Sequence, residues 1–245
     1  MRIPRFYFPD VLALGARVSL PKDAAHHALR VLRMGEGDAV SLFNGDGQVY
    51  RAKILRCDKQ DVAVLIERGQ AAAANESPLP VLLLQGISSG ERMDFTLQKS
   101  VELGVAAIQP IQAERSVVKL TGERLEKRLR HWQNIVIAAC EQCGRNVVPE
   151  VLPAQGLMQW LGEPTSGGAL RIHLAPEAEW GLRDLEKPSG PVILAVGPEG
   201  GFSEPEQIAL RQCGFVAVRL GPRVLRTETA ALAALAALQT CWGDF

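Results

Sequence analysis

Short apolar strands alternate with helices along the chain after Pro80. The strand-like runs are residues 81–84, 105–111, 170–174, 192–196 and 215–220. Helical patterns cover residues 91–103, which end at Gly104, and residues 123–143. Strands that are separated by helices run parallel, and helices cover both faces of a parallel sheet. This order therefore predicts an α/β domain with a mostly parallel, doubly wound sheet.

The first 70 residues have a different pattern. Alternating or β-branched runs at 39–43, 48–55 and 61–67 are separated by turn residues, including Asn44-Gly45-Asp46-Gly47, and predict a small β unit. The stretch 69–80, rich in Ala, Ser and Pro, has the composition of a linker. We therefore expect two domains, at residues 1–72 and 73–245.

Composition favours a globular, cytoplasmic protein. No run approaches about 18 consecutive apolar residues, so we expect no membrane span, and the start MRIPRFYFPD lacks the apolar core of a secretory signal. The five cysteines are an odd number, which suits reduced thiols. The formal net charge is zero, but residues 1–70 hold 11 basic and 8 acidic side chains. This excess favours the N-terminal part as the face that meets a polyanion.

The densest motif is PVILAVGPEGGFSEPE, at residues 191–206. A buried strand leads into a Gly-Pro-Glu-Gly-Gly loop, and Ser203 with Glu206 forms the pattern of a capping box that opens a helix. Ligands bind at the carboxyl ends of such strands, where glycines let the backbone approach the ligand closely. The spacing matches neither the dinucleotide-binding nor the P-loop pattern. Without further evidence, a tight strand-to-helix turn explains the motif equally well.

A second Gly-Pro loop follows the next strand, in LGPRVLRTETA at residues 220–230. A helix is expected to begin near Thr227, whose hydroxyl can cap it. Arg226 and Glu228 are charged residues in a loop that does not need charge in order to close. The alternative is an ordinary helix start, in which Glu228 complements the helix dipole and pairs with Arg226. Two such loops at the ends of two strands can converge on one pocket.

These two motifs, together with RIPRFY, HALRVLRMG, FTLQKSVELGV and ACEQCGRNVVP, resemble the SPOUT (trefoil-knotted) methyltransferases. Within them, the chain is most similar to the family that methylates N3 of a uridine in 16S ribosomal RNA. The resemblance covers the whole chain and implies a PUA-like β-barrel at the N-terminus, followed by a knotted domain that binds S-adenosyl-L-methionine (SAM). It also implies a homodimer that acts on 16S rRNA within the 30S subunit, without a metal.

The resemblance further implies which residues form the cofactor pocket. They are Leu174, Gly197, Glu199, Gly200, Gly201, Leu220, Gly221, Leu225, Arg226 and Thr227. Uridine N3 is a weak acid that must lose its proton, so Glu199 and Glu228 are both candidate catalytic bases. Arg226 is the candidate for stabilising the charge that develops on the uracil oxygens. The residues alone do not choose between the two glutamates.

The candidate RNA-binding residues are Arg5, Arg30, Arg33 and Arg115. Phe6 and Phe8 alternate as in a half-buried strand, which favours core packing over base stacking. The basic stretch after Arg115 is more typical of a solvated helix face than of an RNA site.

Three other functions stay open at this point. A SPOUT enzyme can act on another rRNA or tRNA nucleotide, and a non-catalytic ribosome-assembly protein can use the same β unit. A different small-molecule enzyme can use the pocket, but then the N-terminal β unit has no role. The Cys140–Cys143 pair lacks a second pair, so no zinc site is expected.

Overall fold

The computed structural model describes residues 3–58, 61–71, 75–164 and 167–245. The described residues divide into two compact units. The first takes the chain up to Glu76 and also Cys140–Val148, and the second takes Ser77–Ala139 and Pro149–Phe245. The predicted boundary between residues 72 and 73 lies outside the described residues.

The first unit is built on one five-stranded sheet. Its strands are β1 (Arg5–Tyr7), β2 (Arg17–Ser19), β3 (Ala39–Phe43), β4 (Gln48–Cys57) and β5 (Val62–Ala71), in the spatial order β1-β3-β4-β5-β2. β1 and β3 are parallel and the other pairs are antiparallel. A short helix, α1 (Lys22–His26), continues into a π-helical turn (His27–Val31). Phe6 and Phe8 are buried in the core of this unit, which confirms core packing for these aromatics.

The segment after residue 139 joins the first unit through buried polar contacts. Glu76 Oε2 lies 2.7 Å from a guanidinium nitrogen of Arg145, and its Oε1 accepts the backbone N–H of Asn146 at 3.0 Å. The carboxylate of Glu141 accepts the N–H of Tyr7 at 2.8 Å. Because these partners are about 70 to 140 positions apart along the chain, local sequence patterns do not predict them.

The second unit contains a seven-stranded sheet in which every neighbouring pair is parallel. Its strands are β6 (Val81–Gly86), β7 (Ala107–Gln112), β8 (Glu150–Val151), β9 (Gln155–Gly156), β10 (Leu170–Leu174), β11 (Val192–Val196) and β12 (Val216–Val218). The spatial order is β12-β10-β11-β6-β7-β8, and β9 also pairs with β7. The predicted α/β class and mostly parallel sheet are confirmed, and the trefoil knot stays a prediction.

Helices cover both faces of this sheet, as a parallel sheet requires. The helices are α2 (Gly90–Glu102), α3 (Gly122–Cys143), α4 (Leu157–Gly162), α5 (Glu204–Gln212) and α6 (Thr227–Trp242). α6 packs against α2, β6 and β11. Leu157 of α4 and Leu210 of α5 pack instead on the face that carries Leu84 and Ala195. Within the described ranges, no helix is long and apolar enough to cross a membrane.

His173 of β10 is fully buried in this sheet. It pairs in register with Ala195, so the two side chains lie on the same face. Neither ring nitrogen has a hydrogen-bond partner among the described residues. Burial, followed by the positive charge of Arg211, lowers the pKa of His173 to about 4. The ring is therefore neutral in the folded protein at physiological pH.

This burial predicts a stability loss in mild acid. Between about pH 6.5 and pH 4, the unfolded chain binds a proton at residue 173 that the folded chain does not bind, so the free energy of unfolding falls as the pH falls. Over the whole interval, the burial of this ring lowers the free energy of unfolding by about 3 kcal/mol. In denaturant titrations at several pH values, His173→Leu should lose less stability over this interval than the unaltered protein. His26→Gln, at an exposed histidine, is the control. Equal pH dependence in all three proteins would contradict this account.

Candidate active site

A cavity of about 660 Å³ lies at the carboxyl ends of three adjacent strands of the second unit. Leu174 ends β10, Val196 ends β11 and Val218 ends β12, and all three side chains line it. The ends of parallel strands meet at the same edge of a sheet, so the loops that follow them share this cavity. The two Gly-Pro loops form most of the remaining wall.

The first Gly-Pro loop is tightly folded against the end of β6. The N–H of Gly201 donates to the carbonyl of Pro198 at 2.8 Å, and Gly201 has a φ of 67°, which favours glycine. A Cβ at Gly86 would lie 2.7 Å from the carbonyl carbon of Gly197 and would overlap Pro198. Only glycine fits at position 86, so the last residue of β6 and this loop determine each other's position.

The helix that follows this loop begins as the capping-box pattern predicts. Ser203 is the N-cap of α5, and its backbone N–H donates to the Glu206 carboxylate at 2.9 Å. The other oxygen of Glu206 accepts the N–H of Glu114 at 2.8 Å. Glu206 therefore also anchors the segment after β7 beside the first Gly-Pro loop.

Thr227 joins the two Gly-Pro loops. Its hydroxyl donates to the carbonyl of Gly197 at 2.6 Å and accepts a hydrogen bond from Gln85 Nε2 at 3.0 Å. The expected capping role of this hydroxyl is wrong, because Arg226 is the N-cap residue of α6 and no side-chain cap bond forms there. The hydroxyl instead holds the start of α6 against the end of β11, which brings both loops to one cavity.

Glu199 is held by a set of donors that sequence analysis did not identify. Its Oε1 accepts the backbone N–H of Ser89 and the Ser89 hydroxyl, each at 2.9 Å, and lies 3.1 Å from Nη1 of Arg92. Burial raises the pKa of Glu199, but these hydrogen bonds and one from its own backbone outweigh burial and lower the pKa below its usual value. Its Oε2 has no hydrogen-bond partner among the described residues. The lowered pKa keeps this carboxylate ionised and makes it a weak proton acceptor.

Glu228 and Arg226 have fewer contacts. Glu228 lies in the first turn of α6, half-buried, and its Oε2 has no hydrogen-bond partner among the described residues. Arg226 is exposed and lines the same cavity. The alternative Arg226–Glu228 ion pair does not form in the described structure. The cavity wall thus holds an exposed guanidinium at Arg226 and, at Glu228, a carboxylate with one buried oxygen that has no partner among the described residues.

Gly200 packs closely against Arg115. A Cβ at this position would lie 2.9 Å from Cβ of Arg115, and Nη1 of Arg115 donates to the Gly200 carbonyl at 3.2 Å. Packing against Arg115 is therefore sufficient to require glycine here, whereas sequence analysis attributes it to close approach of a ligand. Substitution of Gly200 would disturb the loop as well as any bound molecule.

All ten residues expected in the cofactor pocket line the cavity. They come from three separate stretches of sequence: Leu174; Gly197, Glu199, Gly200 and Gly201; and Leu220, Gly221, Leu225, Arg226 and Thr227. Arg115, expected to bind RNA, also lines it. Which of these residues bind a ligand stays a prediction.

The other expected RNA-binding residues lie in the first unit. Arg30 and Arg33 are exposed, and Arg33 has a φ of 54°. Arg5 is instead committed to intramolecular contacts: its Nη2 donates to the carbonyl of Arg145 at 2.9 Å and to Oδ1 of Asn146 at 2.8 Å. These bonds give Arg5 a structural role, so it is a weaker candidate for RNA contact than Arg30 and Arg33.

Sequence analysis missed Ser89 and Arg92, which contact Glu199 from the start of α2. Arg92 also lines the cavity. The run Ser88-Ser89-Gly90 after β6 is a signal of the same kind as the two Gly-Pro loops, since it also follows a buried strand. The run lacks a Gly-Pro pair, and Ser89 and Glu199 are 110 positions apart, so the local sequence does not reveal their contact.

Known protein families match both parts of the chain. A family described as RNA methyltransferase domain matches residues 75–239, and one described as RNA methyltransferase PUA domain matches residues 20–67. The ribosomal RNA small subunit methyltransferase E of Buchnera aphidicola subsp. Schizaphis graminum is 38% identical to this chain, over 99% of this chain and 98% of its own length. The Bacillus subtilis protein of the same name is 32% identical, over 90% and 88% of the two chains.

Solved structures agree with these matches. The crystal structure of a ribosomal RNA small subunit methyltransferase E from Neisseria gonorrhoeae, bound to S-adenosyl methionine, is 47% identical, with a TM-score of 0.92 over 100% of both chains. A Legionella pneumophila protein in complex with the bound cofactor SAM is 43% identical, with a TM-score of 0.95 over 100% of both chains. The expected PUA-like and methyltransferase domains are thereby confirmed. This chain therefore belongs to the family of RNA methyltransferases with a PUA domain whose relatives are named ribosomal RNA small subunit methyltransferase E.

Proposed function

We propose that this protein transfers a methyl group from SAM to a uridine N3 of 16S rRNA in the small ribosomal subunit. The observation that carries the proposal is the cavity at the ends of β10, β11 and β12, formed by two loops that Thr227 joins, in a chain of this family. Full-length similarity to a SAM-bound relative supports the choice of cofactor. The N3 position rests on the resemblance of the whole chain to the uridine-N3 methyltransferases.

The cavity suits SAM in size and chemistry. A volume of about 660 Å³ lies in the range of pockets that enclose a molecule of this size. The wall combines apolar strand ends with backbone groups of tight loops, which can bind a neutral adenine and ribose without a phosphate site. The carboxylate of Glu199, in the cavity wall, favours a molecule that carries a positive sulfonium.

Different residues of the cavity have different roles in the reaction. When bound, SAM supplies an electrophilic methyl group, whose bond to sulfur breaks with its electron pair remaining on sulfur as the bond to uridine N3 forms. Glu228 accepts the N3 proton, since the hydrogen bonds to Glu199 lower the pKa of that carboxylate and make it the weaker acceptor. Arg226 stabilises negative charge on the uracil oxygens. Glu199 positions the first Gly-Pro loop instead of accepting a proton, because its Oε1 already accepts three hydrogen bonds.

Association into a homodimer is part of the proposal. Residues 230–237 of α6 are alanine and leucine throughout, and small side chains permit close approach of a second helix. Ala233 is exposed and Leu232 half-buried, so part of this apolar helix is open to a partner. Sedimentation at the enzyme concentration of the assay tests this, and an active, strictly monomeric species would contradict it.

The natural substrate we propose is the assembled 30S particle, in the cytoplasm. A β unit of about 70 residues with scattered arginines has a small footprint on naked RNA, so further recognition elements of the particle are needed. We expect 30S particles from a strain without this methylation to be methylated much faster than a protein-free RNA hairpin. Equal turnover on both would contradict this preference.

One experiment separates this function from its alternatives. Calorimetry measures whether the protein binds SAM, and labelled SAM with unmethylated 30S particles measures transfer. Digestion of the product RNA to nucleosides, followed by mass spectrometry, should identify 3-methyluridine. No SAM binding together with retained 30S binding would instead support a non-catalytic assembly protein. A different methylated nucleoside would keep the enzyme class and overturn the N3 position.

A further inference from the structure

The first turns of α3 carry a stripe of cations on one side of the helix. Arg124, Lys127 and Arg128 are spaced by three and four residues, so their side chains lie on the same face. Arg124 and Lys127 are exposed and Arg128 is half-buried. Trp132 and Val136 are buried, and Trp132 lies one turn beyond Arg128, so Arg128 is at the margin between the exposed side and the core. We call Arg124, Lys127 and Arg128 the α3 basic stripe.

The acidic residues nearby make no ion pair with this stripe within the described ranges, including Glu123, which lies one turn before Lys127 on the same side of the helix. Glu126 lies on the far side of the helix, where its carboxylate is 3.9 Å from Arg130. Arg124 and Lys127 make no ion pair or hydrogen bond to another side chain within the described ranges. The stripe ends at His131, whose Nε2 lies 2.9 Å from Asp94. The two exposed cations are thus available to an external anion.

The stripe belongs to a longer basic segment that begins at the active-site cavity. Residues 115–130 contain six basic and two acidic side chains, in a chain whose net charge is zero. The segment starts with Arg115 in the cavity wall and passes through the exposed Lys119 before reaching the stripe. Along the sequence, the basic residues therefore continue from a residue of the cavity wall into the first turns of α3, within the same unit.

We propose that the α3 basic stripe binds the phosphate backbone of the RNA substrate beside the reaction site, an inference that rests on the proposed function. RNA carries a dense row of negative charges, and exposed Lys and Arg without internal partners are the side chains that contact it. Phosphate contacts orient the RNA without reading its bases, which suits a surface of flexible cations on a helix. The RNA footprint thus includes the methyltransferase unit and is not confined to the N-terminal β unit.

The test compares two double variants of equal charge. The stripe variant carries Arg124→Gln and Lys127→Gln. The control carries Arg183→Gln and Lys187→Gln, also one exposed Arg and one exposed Lys of the second unit. Binding to 30S particles is measured between about 50 and 200 mM salt, and each lost phosphate contact should reduce the log–log salt slope by about 0.7. We expect a slope reduced by about 1.4 and a roughly tenfold weaker affinity at low salt for the stripe variant only.

Parallel measurements separate failure of this inference from failure of the proposed function. Calorimetry should give the same SAM dissociation constant for the unaltered protein and both variants, because neither pair lines the cavity. If the two variants have identical salt slopes while the unaltered protein binds and methylates 30S particles, the RNA-binding role of the α3 basic stripe is wrong and the proposed function stands. Absence of both 30S binding and methylation in the unaltered protein would overturn the proposed function and the stripe with it.

Discussion

Replacement of Arg226 by alanine should slow methyl transfer by about 100-fold or more and leave the SAM dissociation constant nearly unchanged. Arg226 is exposed at the cavity wall, and its interaction with the uracil oxygens strengthens only as negative charge develops during the reaction. Single-turnover rates with 30S particles, alongside calorimetry with SAM, measure the two effects separately. Arg223→Ala is the matched control, because Arg223 is also an exposed arginine of the cavity wall.

A different result would reassign Arg226. If Arg226→Ala loses SAM affinity in full proportion to rate, the residue belongs to the cofactor loop and does not stabilise the uracil anion. Arg115 is then the next cation to test. It lines the same cavity but already donates to the Gly200 carbonyl, so its substitution would also disturb the first Gly-Pro loop.

The second large effect is expected at Glu228. Glu228→Gln should lower the rate by about 10²- to 10⁴-fold, the range found when a positioned general base is removed. The residual rate should rise with pH, because hydroxide then takes over proton removal. SAM affinity should change little, because in this assignment Glu228 acts on the uridine and not on the cofactor.

Glu199→Gln is the comparison for Glu228. Glu199 has a lowered pKa, so it stays ionised from neutral pH down to below the usual titration range of a glutamate, and the activity should show no protonation step from it at neutral pH. Its substitution should weaken SAM binding, because an amide cannot accept hydrogen bonds as strongly as a carboxylate from Ser89 and Arg92. If Glu199→Gln instead shows the pH-dependent residual rate and Glu228→Gln does not, the two roles must be exchanged.

Much of the second unit could be predicted from local patterns. The strands at 170–174 and 192–196 have the predicted bounds. The second is a short, continuous apolar segment, as expected of a buried parallel strand, whereas Arg171 and His173 interrupt the apolar residues of the first. The short strands β8 and β9 were not predicted, since two residues are too few to show a period. The π-helical turn at His27–Val31 was likewise not predicted, because its hydrogen bonds depend on local geometry that composition does not encode.

The sequence by itself determined the residue types of the site and the elements that carry them. Two Gly-Pro loops after buried strands, with charged residues beside them, predicted one shared pocket, and the family resemblance implied ten residues that all line the cavity. Their convergence follows from a general property of parallel sheets, in which the carboxyl ends of the strands lie at one edge. Such signals are local, and local chain geometry is what a sequence pattern encodes.

Only the tertiary structure decided which polar groups are occupied and which are free. Sequence analysis could not distinguish Glu199 from Glu228, because the difference depends on Ser89 and Arg92, more than 100 positions before Glu199. It gave Thr227 a capping role, whereas the hydroxyl bonds Gly197, 30 positions earlier. It also treated Arg5 as a surface cation, although the chain returns 140 positions later to accept its hydrogen bonds. Hydrogen bonds and burial depend on distances in the folded chain, and these distances are set by packing of the whole sheet and its helices.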